Sequence, residues 1–153
     1  MAEVDMFRGA NSVNMDPKGR IVMPTRYRAC LQEGSILTID TEERCLLLYP
    51  LETWEEIESK LAALPSFNAQ ARRIQRLLIG HATEVELDAQ GRMLVPPLLR
   101  EYAGIEKKAV LVGQGKKIEI WAETHWQESR SVWLKEELRQ DGELPEVVKL
   151  LSL

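Results

Sequence analysis

Val13-Asn14-Met15-Asp16-Pro17-Lys18-Gly19-Arg20-Ile21-Val22-Met23-Pro24 returns 72 residues later as Val85-Glu86-Leu87-Asp88-Ala89-Gln90-Gly91-Arg92-Met93-Leu94-Val95-Pro96. Apolar, acidic, glycine, arginine and proline positions stay in step. The same offset links Arg28 to Arg100, Tyr49 to Trp121 and Trp54 to Trp126. A match held over that span marks a duplicated structural unit, and two copies of one turn suggest a binding surface built by pseudo-symmetry.

In Asp16-Pro17-Lys18-Gly19 each residue suits a type I turn: Asp at the first place accepts backbone hydrogen bonds, Pro presets φ, and Gly closes it. Asp88-Ala89-Gln90-Gly91 keeps both ends. Gly19 and Gly91 are expected to be left-handed, giving a three-residue hairpin with a bulge. β-prone runs flank the first turn at 11–15 and 20–23, the second ended by Pro24, which cannot donate to a ladder. Residues 26–31 read as one or two helical turns, followed by strands at 36–39 and 45–49. The unit is thus strand, turn, strand, short helix, strand, turn, strand.

After each unit the apolar period changes from two to 3.6. Thr53-Trp54-Glu55-Glu56 reads as a capping box, with Trp54, Ile57, Leu61 and Leu64 at helical spacing until Pro65. A second helix is predicted over 68–78, its stripe Ala71, Ile74, Leu77 and Leu78, with Gly80 ending it. Thr124-His125-Trp126-Gln127 repeats the capping box and opens a helix to about Arg139; Asp141-Gly142 breaks it, and 146–151 reads as a short last helix. Trp54, Trp126 and Trp133 lie on apolar stripes and are assigned to packing. Arg72, Arg73 and Arg76 form a charged helical cluster assigned to a solvated face or a salt-bridged subunit edge. The organisation expected is a first unit at 6–53, a helical connection at 54–80, a second unit at 81–123 and C-terminal helices at 124–153.

A chain of 153 residues with 44% hydrophobic and 29% charged content is an ordinary globular protein, and each half-size unit alone is marginal. The halves should therefore pack on each other or on neighbouring chains. An acidic, polar start and the lack of a long apolar run point to the cytoplasm. Cys30 and Cys45 lack patterned spacing and fit reduced thiols. Net charge is −4, but its distribution matters more than its sum. The window 6–30 holds Arg8, Lys18, Arg20, Arg26 and Arg28 against Asp16 alone, a local charge of +4. The matching window 80–104 holds Arg92 and Arg100 against Glu84, Glu86, Asp88 and Glu101, a charge of −2.

The two Asp-x-x-x-Arg turns, with Met6-Phe7-Arg8-Gly9, Pro24-Thr25-Arg26-Tyr27-Arg28, Cys45-Leu46-Leu47-Leu48-Tyr49-Pro50 and Arg76-Leu77-Leu78-Ile79-Gly80-His81-Ala82, resemble the MraZ family of bacterial transcriptional regulators. The resemblance covers nearly the whole chain; only Met1 to Asp5 precede the family's usual start. It implies an α+β fold of two tandem AbrB-like swapped-hairpin β-barrel units related by a pseudo-two-fold, each followed by helices. It further implies a nucleoid-associated homo-oligomeric ring, an octamer being one candidate size. The ring would bind double-stranded DNA at short G-rich direct repeats in the promoter of its own division and cell-wall gene cluster.

Residue chemistry gives that implication a mechanism. Asp16 and Arg20 flank a tight turn closely enough for the carboxylate to orient the guanidinium, and an arginine so held can read guanine through O6 and N7. Lys18 and Arg8 suit phosphates, which position without specifying, and Arg26 and Arg28 could reinforce that face. Asp88 and Arg92 repeat the pair, with Glu84 and Glu86 set to repel phosphate if they share its face. On residues alone, both arginines stand equally well as cross-strand ion pairs, which contribute little at a surface, and both aspartates as turn residues; the resemblance moves Arg20 toward DNA contact.

No other chemistry competes. His81, His125 and the cysteines lack metal-ligand spacing. Gly113-Gln114-Gly115 has no nucleotide-binding context and is expected to turn a hairpin, and no nucleophile elbow or carboxylate pair suggests an enzyme. No cofactor, metal, membrane or small-molecule substrate is implied. The competing reading is an oligomeric protein-interaction module with incidental basic turns; an antitoxin of the same hairpin class is weaker, since the chain shows no disordered partner-binding tail.

Overall fold

The first copy builds β1 (Phe7–Asn14), β2 (Arg20–Val22), the short helix α1 (Thr25–Arg28) continued by a 3-10 turn at Ala29–Leu31, β3 (Ser35–Ile39) and β4 (Leu46–Pro50). Two helices follow, α2 (Leu51–Ala62) and α3 (Ala69–Leu78). The second copy repeats the plan as β5 (Thr83–Val85), β6 (Arg92–Leu94), α4 (Pro97–Ala103), β7 (Lys108–Gly115) and β8 (Ile118–Ala122), and ends in α5 (Glu123–Glu137) and α6 (Glu146–Lys149). This computed structural model describes residues 6–138 and 144–152; the expected helix end at Arg139 and the break at Asp141-Gly142 lie outside them.

The copies exchange strands. β1 pairs antiparallel with β7, the third strand of the other copy, and β5 pairs with β3. The sheet order is β1-β7-β8-β4-β3-β5, while β2 and β6 form a separate two-stranded ribbon. Registers show the symmetry: Ile21 faces Met93 in the ribbon and Leu47 faces Glu119 between β4 and β8, each pair joining repeat-equivalent residues. The pseudo-two-fold axis therefore passes through both pairs. The third strands carry an offset longer by two residues, which makes Val13↔Ala109 the counterpart of Val85↔Ser35.

A single core fills the space between sheet and ribbon. Ile21, Met23, Met93 and Val95 are fully buried and join Leu37, Leu46, Leu48, Leu111, Ile118 and Ile120 in one cluster. Side chains of this size contribute about 1.5–3 kcal/mol each on full burial. Trp54 is buried against Tyr49, with ring centroids 5.7 Å apart. Trp121, Trp126 and Trp133 meet edge to face at 5.6 to 6.2 Å, fixing α5 on β8.

Three expectations are corrected. No closed barrel forms: β1 and β5 are the two unpaired ends of an open six-stranded sheet, because the exchange places the first strands at opposite edges. Neither capping box caps. α2 begins at Leu51, whose N–H donates to the Gly34 carbonyl at 3.0 Å, so Thr53 already lies inside the helix. α5 likewise begins at Glu123, before Thr124, without a side-chain cap. The hairpin expected at Gly113-Gln114-Gly115 is present: Gln114 N–H donates to Lys117 O at 2.9 Å and Gly115 is left-handed with φ of 80°, while Gly113 and Gln114 also pair with Gly9 and Arg8 of β1. Gly113 serves close approach, since a Cβ there would fall 2.4 Å from the Arg8 nitrogen. Asn68 does cap α3, accepting from Ala71 N–H at 3.0 Å.

Gly19 and Gly91 have φ of 86° and 77°, the left-handed conformation their turns require. Each faces an arginine of the other copy: a Cβ on Gly91 would lie 2.4 Å from Arg28 Nε, and one on Gly19 2.7 Å from Arg100 Cζ. Gly91→Ala should lower unfolding stability in urea by about 1–3 kcal/mol from backbone strain, plus the cost of the clash. Adding Arg28→Ala should restore part of the loss. An unchanged urea midpoint for Gly91→Ala would contradict this packing.

Candidate nucleic-acid interface

Each turn is organised by its aspartate. Asp16 Oδ1 accepts the Lys18 and Arg20 backbone N–H groups, both at 2.9 Å, and Oδ2 accepts Arg20 Nε at 2.7 Å. The backbone closes around it through Gly19 N–H to Asp16 O and Asp16 N–H to Arg20 O, both 2.9 Å. The second turn is nearly superposable in its bonding: Asp88 accepts the Gln90 and Arg92 N–H groups at 2.9 Å and Arg92 Nε at 2.8 Å. Donation from the Arg20 and Arg92 backbone amides, the largest influence, holds both carboxyls below their usual range; partial desolvation opposes it and the arginine side chains add to it.

The exchange locks each turn to the other copy. Met23 N–H donates to Gly91 O at 2.8 Å and Val95 N–H to Gly19 O at 2.9 Å. Arg28 Nε donates to Met23 O and Arg100 Nε to Val95 O, which keeps each guanidinium beneath the opposite turn. Arg28 is thus placed at Gly91 rather than beside Asp16.

The ribbon carries both tethered arginines on one face. Ile21 and Met93 point inward with no exposure, so Arg20, Val22, Arg92 and Leu94 point outward. Arg20 lies opposite Leu94 and Val22 opposite Arg92, placing the two arginines as diagonal neighbours, about 7–8 Å apart from backbone to backbone. With Nε bound to Asp16, Arg20 Nη1 and Nη2 have no protein partner among the described residues, whereas Arg92 Nη2 also donates to Gln90 Oε1 at 3.2 Å.

Arg8 and Arg26 lie elsewhere. Arg26 Nη2 donates to Asn11 Oδ1 at 2.6 Å and Arg8 O at 3.2 Å, and its guanidinium stacks 4.6 Å from the Tyr27 ring centre. The Tyr27 hydroxyl also donates to Arg8 O. At a strand rise of about 3.3 Å per residue, Arg8 is roughly 20 Å or more along the chain from Asp16.

Two lysines not singled out in the sequence lie beside the first turn. Lys107 and Lys108, with Asn14, Asp16, Pro17, Arg100 and Glu106, line a cavity of about 650 Å³ beside the first turn. Lys107 O accepts Met15 N–H at 2.8 Å, and Lys108 pairs with Asn14 across β1 and β7. The repeat counterparts of Lys107, Lys108 and Asn14 are Glu33, Gly34 and Glu86. Glu84 and Glu86 are exposed on either side of buried Val85.

A family model described as "MraZ protein, putative antitoxin-like" matches this chain twice, at residues 6–77 and 78–143. The chain belongs to the MraZ family. It is similar to the transcriptional regulator MraZ of Coxiella burnetii (strain Dugway 5J108-111), 55% identical over 152 residues that cover 97% of this chain and all of that one. The same coverage holds at 54% identity to the transcriptional regulator MraZ of Legionella pneumophila (strain Corby) and at 52% to that of Halorhodospira halophila. MraZ is a family of transcriptional regulators, not of enzymes, and the two matches establish the tandem duplication.

Among the described residues of this MraZ chain, Asp40, Cys45 and Glu119 bring ligand atoms within 4.8 Å of one another, a grouping that sequence spacing did not reveal. The buried Cys45 thiol donates to Asp40 Oδ2 at 3.8 Å. Desolvation, then the nearby carboxylates, push its pKa far up. Glu119 is also raised, chiefly by desolvation, and accepts Trp121 Nε1 at 2.8 Å. No described helix is long and apolar enough to cross a membrane.

Because the folded Asp16 and Asp88 pKa values are depressed, their stabilising contribution is present above the ordinary carboxylate pKa and lost as pH falls through the folded values. Carboxyl NMR titration should show both titrating below an unstructured aspartate, and Asp16→Asn should abolish the acid-dependent shift of the Arg20 Nε–H resonance. Ordinary titration of both carboxyls would contradict the tether.

Proposed function

We propose that this chain is a sequence-specific DNA-binding transcriptional regulator that reads short G-rich direct repeats in the promoter of its own division and cell-wall gene cluster, acting as a homo-oligomer in the bacterial cytoplasm at the nucleoid. The observation that carries this reading is the ribbon face on which two aspartate-tethered arginines project together. A two-stranded ribbon fits the major groove, and Nη1 and Nη2 of an arginine held at Nε match guanine O6 and N7. Their spacing corresponds to about two base-pair steps of 3.4 Å, so one chain reads a short subsite.

Roles follow from position. Arg20 is the principal reader, oriented by Asp16; Arg92, oriented by Asp88 and shared with Gln90, reads more weakly. Lys18, Lys107 and Lys108 take phosphate at the first turn. Arg28 and Arg100 support the turns from below, and Arg26 and Arg8 stabilise β1. The arrangement of hairpin units at 6–53 and 81–123 with helices after each serves this division.

Short subsites bind weakly alone, and linking them on repeated DNA raises effective concentration without new contacts. Exposed Phe67, Leu138, Val147, Leu150 and Leu151 are apolar surface suited to self-association. The same exposure favours the second reading, a protein-interaction module without DNA readout. Salt separates the two. Binding to the DNA upstream of the chain's own gene should weaken by roughly 0.9 log unit per log unit of salt for each neutralised phosphate. Lys107→Gln with Lys108→Gln should flatten that slope, whereas Arg20→Ala should remove most of the preference for G-rich over scrambled duplex, a loss of about 1–3 kcal/mol in discrimination, without changing oligomer mass. Wild-type selectivity in Arg20→Ala would overturn the assignment of the reader, and salt-insensitive binding would favour the protein-interaction module.

A further inference from the structure

The ribbon's outward face leaves a feature that the arginines do not account for. Between Arg20 and Arg92, on the opposite diagonal, stand two aliphatic side chains, Val22 and Leu94, 47% and 52% exposed. Their backbone neighbours Ile21, Met23, Met93 and Val95 are fully buried, so alternation forces these two outward. A solvated strand face ordinarily carries polar residues there. Both copies place an aliphatic residue at this position despite differing in charge all around it.

We infer that Val22 and Leu94 form an apolar reading pair that contacts the C5-methyl groups of thymines next to the guanines taken by Arg20 and Arg92. The inference rests on the proposed DNA readout and adds a second specificity. The occupant follows from the surroundings. Each aliphatic group has a tethered guanidinium directly across the ribbon, so whatever covers the face must be anionic in bulk yet offer an apolar patch a few ångströms from a hydrogen-bond acceptor. In the major groove the thymine methyl is that patch, and guanine O6 and N7 on a neighbouring pair are those acceptors. The checkerboard of Arg opposite Leu and Val opposite Arg would then distinguish guanine next to thymine from guanine next to cytosine, which offers an N4 amino donor instead of a methyl. An acidic protein could meet the arginines equally well but gives no reason for an aliphatic residue beside each of them.

The test compares two duplexes of the DNA upstream of the chain's own gene, one with thymine and one with deoxyuridine at every thymine position, against the full-length wild type and the Val22→Thr/Leu94→Thr double variant. Val22→Thr keeps the β-branched shape, and circular dichroism with oligomer mass checks that the double variant folds and assembles. Wild type should bind the thymine duplex more tightly by roughly three- to fivefold for each methyl covered, from about 0.8 kcal/mol per buried methyl-sized group. The double variant should bind both duplexes equally while still preferring them to a duplex with its guanines replaced. Three results overturn the inference: equal wild-type affinity for thymine and uracil duplexes with guanine preference intact, a thymine preference that persists in the double variant and so comes from duplex shape, or a changed oligomer mass that places the pair at a subunit contact. Failure of wild type to bind either duplex would instead remove the DNA reading on which the inference stands.

Discussion

Each tight turn rests on an arginine from the other copy. A left-handed glycine leaves the space, the opposite guanidinium fills it, and a backbone bond from Met23 or Val95 closes the contact. Without Gly19 and Gly91 the guanidinium groups of Arg100 and Arg28 could not lie where they do, and the β2·β6 ribbon could not cross at Ile21 and Met93. The orientation of Arg20 and Arg92 follows, because an aspartate can aim an arginine only if the turn that carries it does not move. The carboxylate fixes the guanidinium relative to the turn; the exchanged arginine fixes the turn relative to the core.

That arrangement also explains the electrostatic asymmetry. Counting charge along consecutive sequence assigns Lys107 and Lys108 to the second copy and to neither turn. Strand exchange carries them across the pseudo-two-fold axis to the first turn, beside Asn14, whereas the repeat counterpart of Lys107 is Glu33. Asymmetry visible within each window is therefore amplified by the fold. One backbone plan presents a cationic turn at one end of the ribbon and an acidic one at the other.

Much of this was legible in sequence because it is local. The Asp, Gly and Arg spacing specified both turns, period-two runs specified the strands, and Asn68 marked the start of α3 correctly. What was missed depends on contacts distant in sequence. The capping boxes at Thr53 and Thr124 were misleading because Pro50 and the end of β8 already deliver the chain in a helix-starting geometry, with Gly34 supplying the acceptor for Leu51. Gly113, beside the hairpin that the sequence did mark, is also required by the close approach of β1, which sequence does not show. The duplication signalled two units, yet pairing of β1 with β7 and of β5 with β3 is a choice between equally hydrophobic partners that periodicity does not encode. Arg28, which the sequence grouped with the candidate DNA contacts, lies beneath Gly91, a placement that only the strand exchange reveals.

The central claim is that a guanidinium held by Asp16 reads the major-groove edge of guanine. Replacing guanine with 7-deazaguanine removes the N7 acceptor while leaving base pairing intact, and so probes that contact alone. Wild-type affinity for the upstream duplex should fall on this replacement, and Arg20→Ala, left with only the weaker Arg92 contact, should show a smaller fall. Equal wild-type binding to the two duplexes, or the same fall in Arg20→Ala, would contradict the account.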